Sequence, residues 1–319
     1  MLDSYDRKIL SELDKDSSIA LSQLASKIKR SKQFVLYRMK RLEEENIITG
    51  YNAIIDMSKL GFFTFRAYIK FHSMTESDGN KFVALCRKEF PQVWTITSMH
   101  GKWDYALFLG VKSVTEFHQI WDEIFFYYKE NIKSYNVAVY APITNFNRKI
   151  FLNSINMSDS IERIYGAGEA EKIDNTDLKI IDAYATNVRQ SALEISKKLH
   201  ISADTVRHRI KGMEKRKIIV GYTLGMNYEK TGYTGYRIDF QLKSAKRLKE
   251  IYAYLKYHRN IYQINKSIGG ADLEIEAIVK DQQELLKIID DIKERFKDSI
   301  MDAEWFGFSI FHILKYIPD

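Results

Sequence analysis

Residues 21–51, LSQLASKIKRSKQFVLYRMKRLEEENIITGY, and residues 192–222, ALEISKKLHISADTVRHRIKGMEKRKIIVGY, are two copies of one unit. In the first, a short apolar pattern at Leu21, Leu24, Ala25 and Ile28 gives way to Ser31, placed as a helix N-cap, and then to Val35, Met39 and Leu42 at i, i+4 and i+7. The second repeats this with Ser202, Val206, Ile210 and Met213. Helices joined by so short a turn, Lys29 to Ser31, cross steeply, as in a helix-turn-helix. Upstream, Leu2, Ile9, Leu10 and Leu13 add a third helical stripe, matched by residues 173–184. From 3–51 to 174–222 the copies align at a constant offset of 171 without a gap, with 14 identities in 49 positions, Asp6/Asp177, Arg38/Arg209, Glu43/Glu214 and Tyr51/Tyr222 among them. The whole module is duplicated, so one chain supplies any symmetric partner that a module needs.

After each helix trio comes a β-rich segment, 47–56 or 218–227, in which Gly50 or Gly221 is expected to let the chain turn. The first module continues with strand 62–71, helix 78–90, strands 93–100 and 105–111, helix 114–128 and strand 135–141, and the second repeats this order over 233–313. A βαββαβ order folds as an antiparallel sheet with both helices on one face, the ferredoxin-like solution, and leaves the other face bare. The expected class is α+β: winged-type helix-turn-helix domains at 1–56 and 173–227, ferredoxin-like domains at 57–142 and 228–319, and a linker at 143–172. Arg66 and Arg237 fall on the bare faces, as do Glu274 and Glu276 where the first copy has Ala106 and Phe108. The bare faces are expected to meet, with Glu274 or Glu276 near Arg66 or Arg237, because buried charges need partners; the alternative is that these carboxylates face water.

A 319-residue chain that is 45% hydrophobic can bury at least two cores. Its net charge of +7 favours a polyanionic partner, mildly, since 42 carboxylates accompany 49 Lys and Arg. Cys86 stands alone, which rules out an intrachain disulfide and a cysteine-rich zinc cluster. No run of 18 apolar residues and no secretory leader pattern is present, so a cytoplasmic protein without membrane contact is expected. No phosphate-binding glycine loop, metal-ligand spacing or nucleophilic triad is found, and neither an enzyme nor a resident cofactor is expected.

With "LDSYDRKILSEL", the 21–51 segment and "GKWDYALFL" in the first copy, and "IDNTDLKIIDAY", the 192–222 segment and "GGADLEIEAIV" in the second, the chain resembles the Lrp/AsnC family of transcription regulators, twice over. The resemblance covers nearly everything except the linker. It implies a helix-turn-helix followed by a ligand-sensing (RAM) domain that pairs through its sheet, double-stranded DNA as partner, a nucleoid location and further homo-oligomerisation. Two modules in one chain then look like a covalent pseudo-dimer.

Between Lys27 and Arg41 stand seven basic side chains and no carboxylate, a run that either meets an anionic partner or is merely a solvated helix face. With Val35, Met39 and Leu42 inward, Lys32, Gln33, Tyr37, Lys40 and Arg41 face a duplex, and Gln33 suits an adenine edge. In the second copy Asp204, Thr205, Arg207, His208 and Lys211 take this place, and Asp204 would accept from a cytosine amino group, so the two half-sites should differ in sequence. Arg38 and Arg209 either reach phosphate or pair with Glu43, Glu214 or another carboxylate of their own module. Family members that respond to amino acids bind them near a Gly-x-x-Asp turn, matched here by Gly101 and Asp104 and by Gly269 and Asp272, with a purely structural hairpin role as the alternative. Bulky Lys102 and Trp103 in one turn, against Gly270 and Ala271 in the other, make the two sites unequal. Two rival readings share the architecture: an enzyme resembling siroheme decarboxylases, with His100 and His72 as the suggestive histidines, and a protein that coats DNA with little sequence preference.

Overall fold

The computed structural model describes residues 2–151 and 160–313. The first head is built from α1 (Ser4–Lys15), α2 (Leu21–Ile28) and α3 (Lys32–Glu44), followed by β1 (Ile48–Ile55). Asp3 and Asp6 form a capping box at the start of α1, and Ser31 caps α3 by accepting from the Phe34 amide at 3.2 Å. Next come β2 (Phe63–Phe71), α4 (Glu76–Glu89), β3 (Val93–His100), β4 (Tyr105–Val111), α5 (Val114–Tyr128) and β5 (Ile132–Phe146). A short β6 (Glu162–Tyr165) leads to the second head, α6 (Asn175–Ala185), α7 (Ala192–Leu199), α8 (Ala203–Lys215) and β7 (Ile219–Met226). After the one-turn α9 (Tyr228–Thr231), the second ferredoxin-like domain runs β8 (Thr234–Leu242), α10 (Leu248–Tyr257), β9 (Ile261–Ile268), β10 (Leu273–Val279), α11 (Gln282–Arg295) and β11 (Ile300–Ile313).

Each module's larger sheet has the ferredoxin-like order, β5-β2-β4-β3 and β11-β8-β10-β9. Ala67, Ile69 and Phe71 of β2 pack with Phe82, Trp121 and Ile124 of the two helices, and Ile238 and Phe240 of β8 do the same with Ile251, Leu285 and Ile292. The bare faces meet as expected. The sheets also join at their edges, which the sequence pattern did not foretell: β3 pairs with β11, and β5 pairs with β9 as well as with β2. Eight strands therefore close a ring, which removes the free edges that two separate sheets would present. The long β5 and β11 make this possible, since each spends one half on its own sheet and the other half on its neighbour's. β5 extends beyond 135–141 at both ends for this reason.

Inside the ring, the Arg66 guanidinium grips Glu274 with two bonds of 3.0 and 3.1 Å, and Arg237 pairs with Glu274, with Asp239 (2.7 Å) and with Glu276 (3.5 Å). Arg66, Arg237 and Glu274 are at most 2% exposed. Burial alone would raise the Glu274 carboxyl, but the Arg237 and Arg66 charges outweigh it and hold it down at about 2.

The heads are joined by their own two-stranded sheet, β1 antiparallel to β7. Gly50 and Gly221 lie within these strands rather than at turns. Their lack of a side chain serves close approach: a Cβ on Gly221 would stand 3.0 Å from Arg163 Nε, and Gly50 faces Gly225, where a Cβ would lie 2.9 Å from the Gly50 amide nitrogen. The segment 143–172, read as a linker, opens with the end of β5 and is tied down by buried Phe146, Ile150 and Phe151 and by β6, which pairs with β5.

Candidate nucleic-acid interface

In both heads the turn before the recognition helix is set by a non-glycine residue in left-handed backbone, Lys29 (φ 58°) and His200 (φ 56°). Val35, Met39 and Leu42 are buried, which rolls Lys32, Gln33, Tyr37 and Lys40 of α3 to the exposed side, with Tyr37 65% exposed. Among the described residues Lys32 and Lys40 form no ion pair, so their charges are available to phosphate. On α8, Asp204, Arg207, His208 and Lys211 are exposed, and Thr205 is half-buried with its hydroxyl 2.8 Å from that of Ser202. Asp204 lies 2.5 Å from Arg207, so part of the basic charge of this face is neutralised from within the helix.

Arg38 and Arg41 point back toward α1. Arg38 pairs with Asp3 (2.6 Å) and Asp6 (3.2 Å), and Arg41 with Asp6 (2.6 Å), whose carboxylate is fully buried. Arg209 repeats the arrangement with Asp174 (2.6 Å) and Asp177 (3.1 Å). Hydrogen bonding to Asp3 and Asp174 raises these arginines further above their ordinary values. Of the roles open to Arg38 and Arg209, the structure displays carboxylate pairing, with the capping aspartates rather than Glu43 and Glu214. Those two glutamates accept instead from the hydroxyls of Tyr51 (2.5 Å) and Tyr222, fastening each recognition helix to the strand that follows it.

Three further arginines fix the heads to one another. Arg148 donates to buried Asp14 of α1 (Nε, 3.0 Å), to the Tyr228 hydroxyl (3.0 Å) and to Thr223 of β7 (3.2 Å). Arg163 bridges the carbonyls of Lys15 (2.6 Å) and Tyr222 (2.8 Å), and Arg189 reaches the carbonyl of Ile19 (3.1 Å). The sequence reading passed over Arg148 and Arg163 because they fall in the segment taken as a linker; two arginines among its asparagines and serines were the only sign of them.

Gly101 (φ 103°) and Gly269 (φ 89°) do make tight turns. Asp104 accepts from Lys70 Nζ (2.7 Å) and the Phe71 amide (2.8 Å), and Asp272 from the Leu242 amide (2.8 Å), so both carboxylates fasten the turn to the end of a neighbouring strand. A cavity of about 510 Å³ opens between the turns. Gly269 and Asp272 of the second turn, Lys102 and Trp103 of the first, and Asp239 of β8 line it; Gly101 and Asp104 do not.

A winged helix-turn-helix DNA-binding model matches residues 2–49, and an AsnC-type helix-turn-helix model matches residues 173–214. The HTH-type transcriptional regulator LrpA of Pyrococcus horikoshii is 33% identical over 117 residues, 37% of this chain and 83% of that protein. This chain belongs to the Lrp/AsnC family. Transcriptional regulator AzlB of Bacillus subtilis is 34% identical over 118 residues, 37% of this chain and 74% of that protein. Each relative thus matches about one module of this two-module member of the Lrp/AsnC family. Over the full length, the crystal structure of the siroheme decarboxylase NirDL superposes with a TM-score of 0.61 at 13% identity, covering 99% of this chain and 95% of that one. At that identity the likeness is one of fold.

Proposed function

We propose that this Lrp/AsnC protein is a sequence-specific DNA-binding transcription regulator in which one polypeptide supplies both heads of a pseudo-dimer. The observation that carries the reading is the ion cluster inside the ring. Ala106 and Phe108 stand where the second module has Glu274 and Glu276, so two first modules would bury a pair of Arg66 side chains with no carboxylate from these positions. Two second modules would crowd two copies each of Asp239, Glu274 and Glu276 around two arginines. A first module with a second comes nearest to balance, which favours closure within the chain. Lys32, Gln33, Tyr37 and Lys40 read one half-site and Asp204, Arg207, His208 and Lys211 the other, and an amino acid or similar small effector enters between the Gly-x-x-Asp turns. We place the protein in the cytoplasm on the nucleoid, where further chains can associate.

Selection of duplex sites by the purified protein, with solution mass measured alongside, tests this: one chain should occupy two half-sites of unlike sequence. A perfect palindrome, or specific affinity no greater than non-specific affinity at fixed salt, would instead support a coating protein. The whole-chain fold match keeps the decarboxylase reading in view. A tetrapyrrole bearing several carboxylates needs a cationic cavity, and the 510 Å³ cavity offers Lys102 against Asp239, Asp272, Asp302 and Glu304. Added siroheme should leave its absorption spectrum unchanged; a shifted band would favour the enzyme.

A further inference from the structure

A second cavity, of about 390 Å³, lies between the head ribbon and the sensing ring. Ile54 and Ile55 of β1 and Thr223 and Leu224 of β7 form one wall. Thr95 and Phe108 of the first sensing domain face Tyr262 and Glu276 of the second, and Arg148 and Tyr165 of the intervening segment complete it. Among the described residues eight aromatic side chains line the space, Tyr140 and Phe108 stacked with ring centroids 6.0 Å apart. Its size is that of ordinary small-molecule sites, with room for about a dozen waters or a fused pair of rings.

Among the described residues, its two charged lining groups are already committed. Glu276 accepts from Tyr262 (2.6 Å), Gln263 (3.1 Å) and Asn265 (3.2 Å) and lies 3.5 Å from Arg237. Arg148 is held by Asp14, Tyr228 and Thr223. An ionic ligand would therefore be desolvated without a counter-ion, whereas a flat neutral one would bury apolar surface against the rings at no such cost. Arg237 pairs both with Glu276, which lines this cavity, and with Asp239, which lines the other.

We propose that this cavity is a binding site for an uncharged, planar aromatic molecule, separate from the site between the Gly-x-x-Asp turns. An occupant touches both head strands, both sensing domains and the intervening segment at once, so it stabilises one placement of the heads over the ring.

Calorimetric titration of the full chain with three naphthalene probes tests the proposal: 2-naphthalenemethanol, 2-naphthylmethylamine and 2-naphthoate, which differ chiefly in charge. The alcohol should bind about tenfold or more tighter than either ion. Thr95→Phe, which sets a ring into the cavity from its lining, should abolish alcohol binding, and Trp103→Ala, in the other cavity, should leave it unchanged. Hydrogen exchange read separately should show slower exchange of the β1 and β7 amides with the alcohol present. The proposal is overturned if an ion binds as well as the alcohol, if no probe binds, if binding survives Thr95→Phe or is lost in Trp103→Ala, or if the β1 and β7 amides exchange unchanged with the alcohol bound. Should Thr95→Phe fail to fold, the charge order of the three probes and the exchange result on the unaltered chain decide the matter.

Discussion

At the scale of single residues, two basic groups one helical turn and a half apart on α3 have different work. Arg38 neutralises Asp6, which is fully buried, whereas Lys32 is exposed and makes no ion pair among the described residues. Arg38→Ala should cost about 2 kcal/mol in urea unfolding, because a buried carboxylate loses a partner. Lys32→Ala should change stability by less than about 0.5 kcal/mol while reducing the slope of log affinity against log salt by about 0.9. The reading of α3 from sequence reached this far and no further: its period shows which side chains face outward, but the aspartates that claim Arg38 lie more than 30 positions upstream, and nothing local announces such a pairing. Lys149 presents the opposite case. It is buried with its ammonium donating to the Ile261 carbonyl at 3.2 Å, and burial pushes it down to about 8. Since the folded value lies below the ordinary 10.5, protonation is penalised in the folded state, fully below about pH 8 and no longer above 10.5. Lys149→Met should therefore stabilise the protein at pH 7 by on the order of 2 kcal/mol, and thermal unfolding should show the gain shrinking as pH approaches 10.5.

At the scale of elements, the ribbon of β1 and β7 holds the two heads in register, and its glycines allow the strands to approach. Gly225→Val places a side chain within 2.9 Å of the Gly50 backbone and should cost about 1–3 kcal/mol, with faster amide exchange across both strands. Gly212 of α8 makes the contrast: beyond its own helix backbone and chain neighbours, no atom of the described residues lies within 4 Å of a Cβ there, so Gly212→Ala should stabilise by about 1 kcal/mol in the same assay. The helices were legible because caps and a 3.6-residue period both mark them, and the strands because alternation does. How strands join was not legible. Edge pairing between β3 and β11 uses backbone groups that every residue owns, so it leaves no trace in side-chain pattern, and Gly50 in the middle of a strand looks no different from glycine at a turn.

At the scale of the whole molecule, the buried cluster on Glu274 ties the two halves of the ring together. Its carboxyl sits at about 2 against an ordinary 4.5, so its contribution is complete above about pH 4.5 and is lost as pH falls toward 2. That loss is worth on the order of 3 kcal/mol, and acid unfolding of Glu274→Gln should lack this limb of the profile. Alternation left open whether Glu274 or Glu276 meets an arginine and whether either faces water, but the duplication itself was plain from the sequence, and so were Arg66 and Arg237 as candidate partners. Arg148 and Arg163 were not, because the segment that carries them has no period to interpret. The crossing of β5 and β11 from one sheet to the other has a further consequence for gene dosage. An oligomer gathered from separate copies thins out faster than its subunits do when expression falls, but a ring closed within one polypeptide does not. Halving the number of transcripts here halves the number of closed rings and no more, and under the proposed function the supply of paired heads falls in the same proportion.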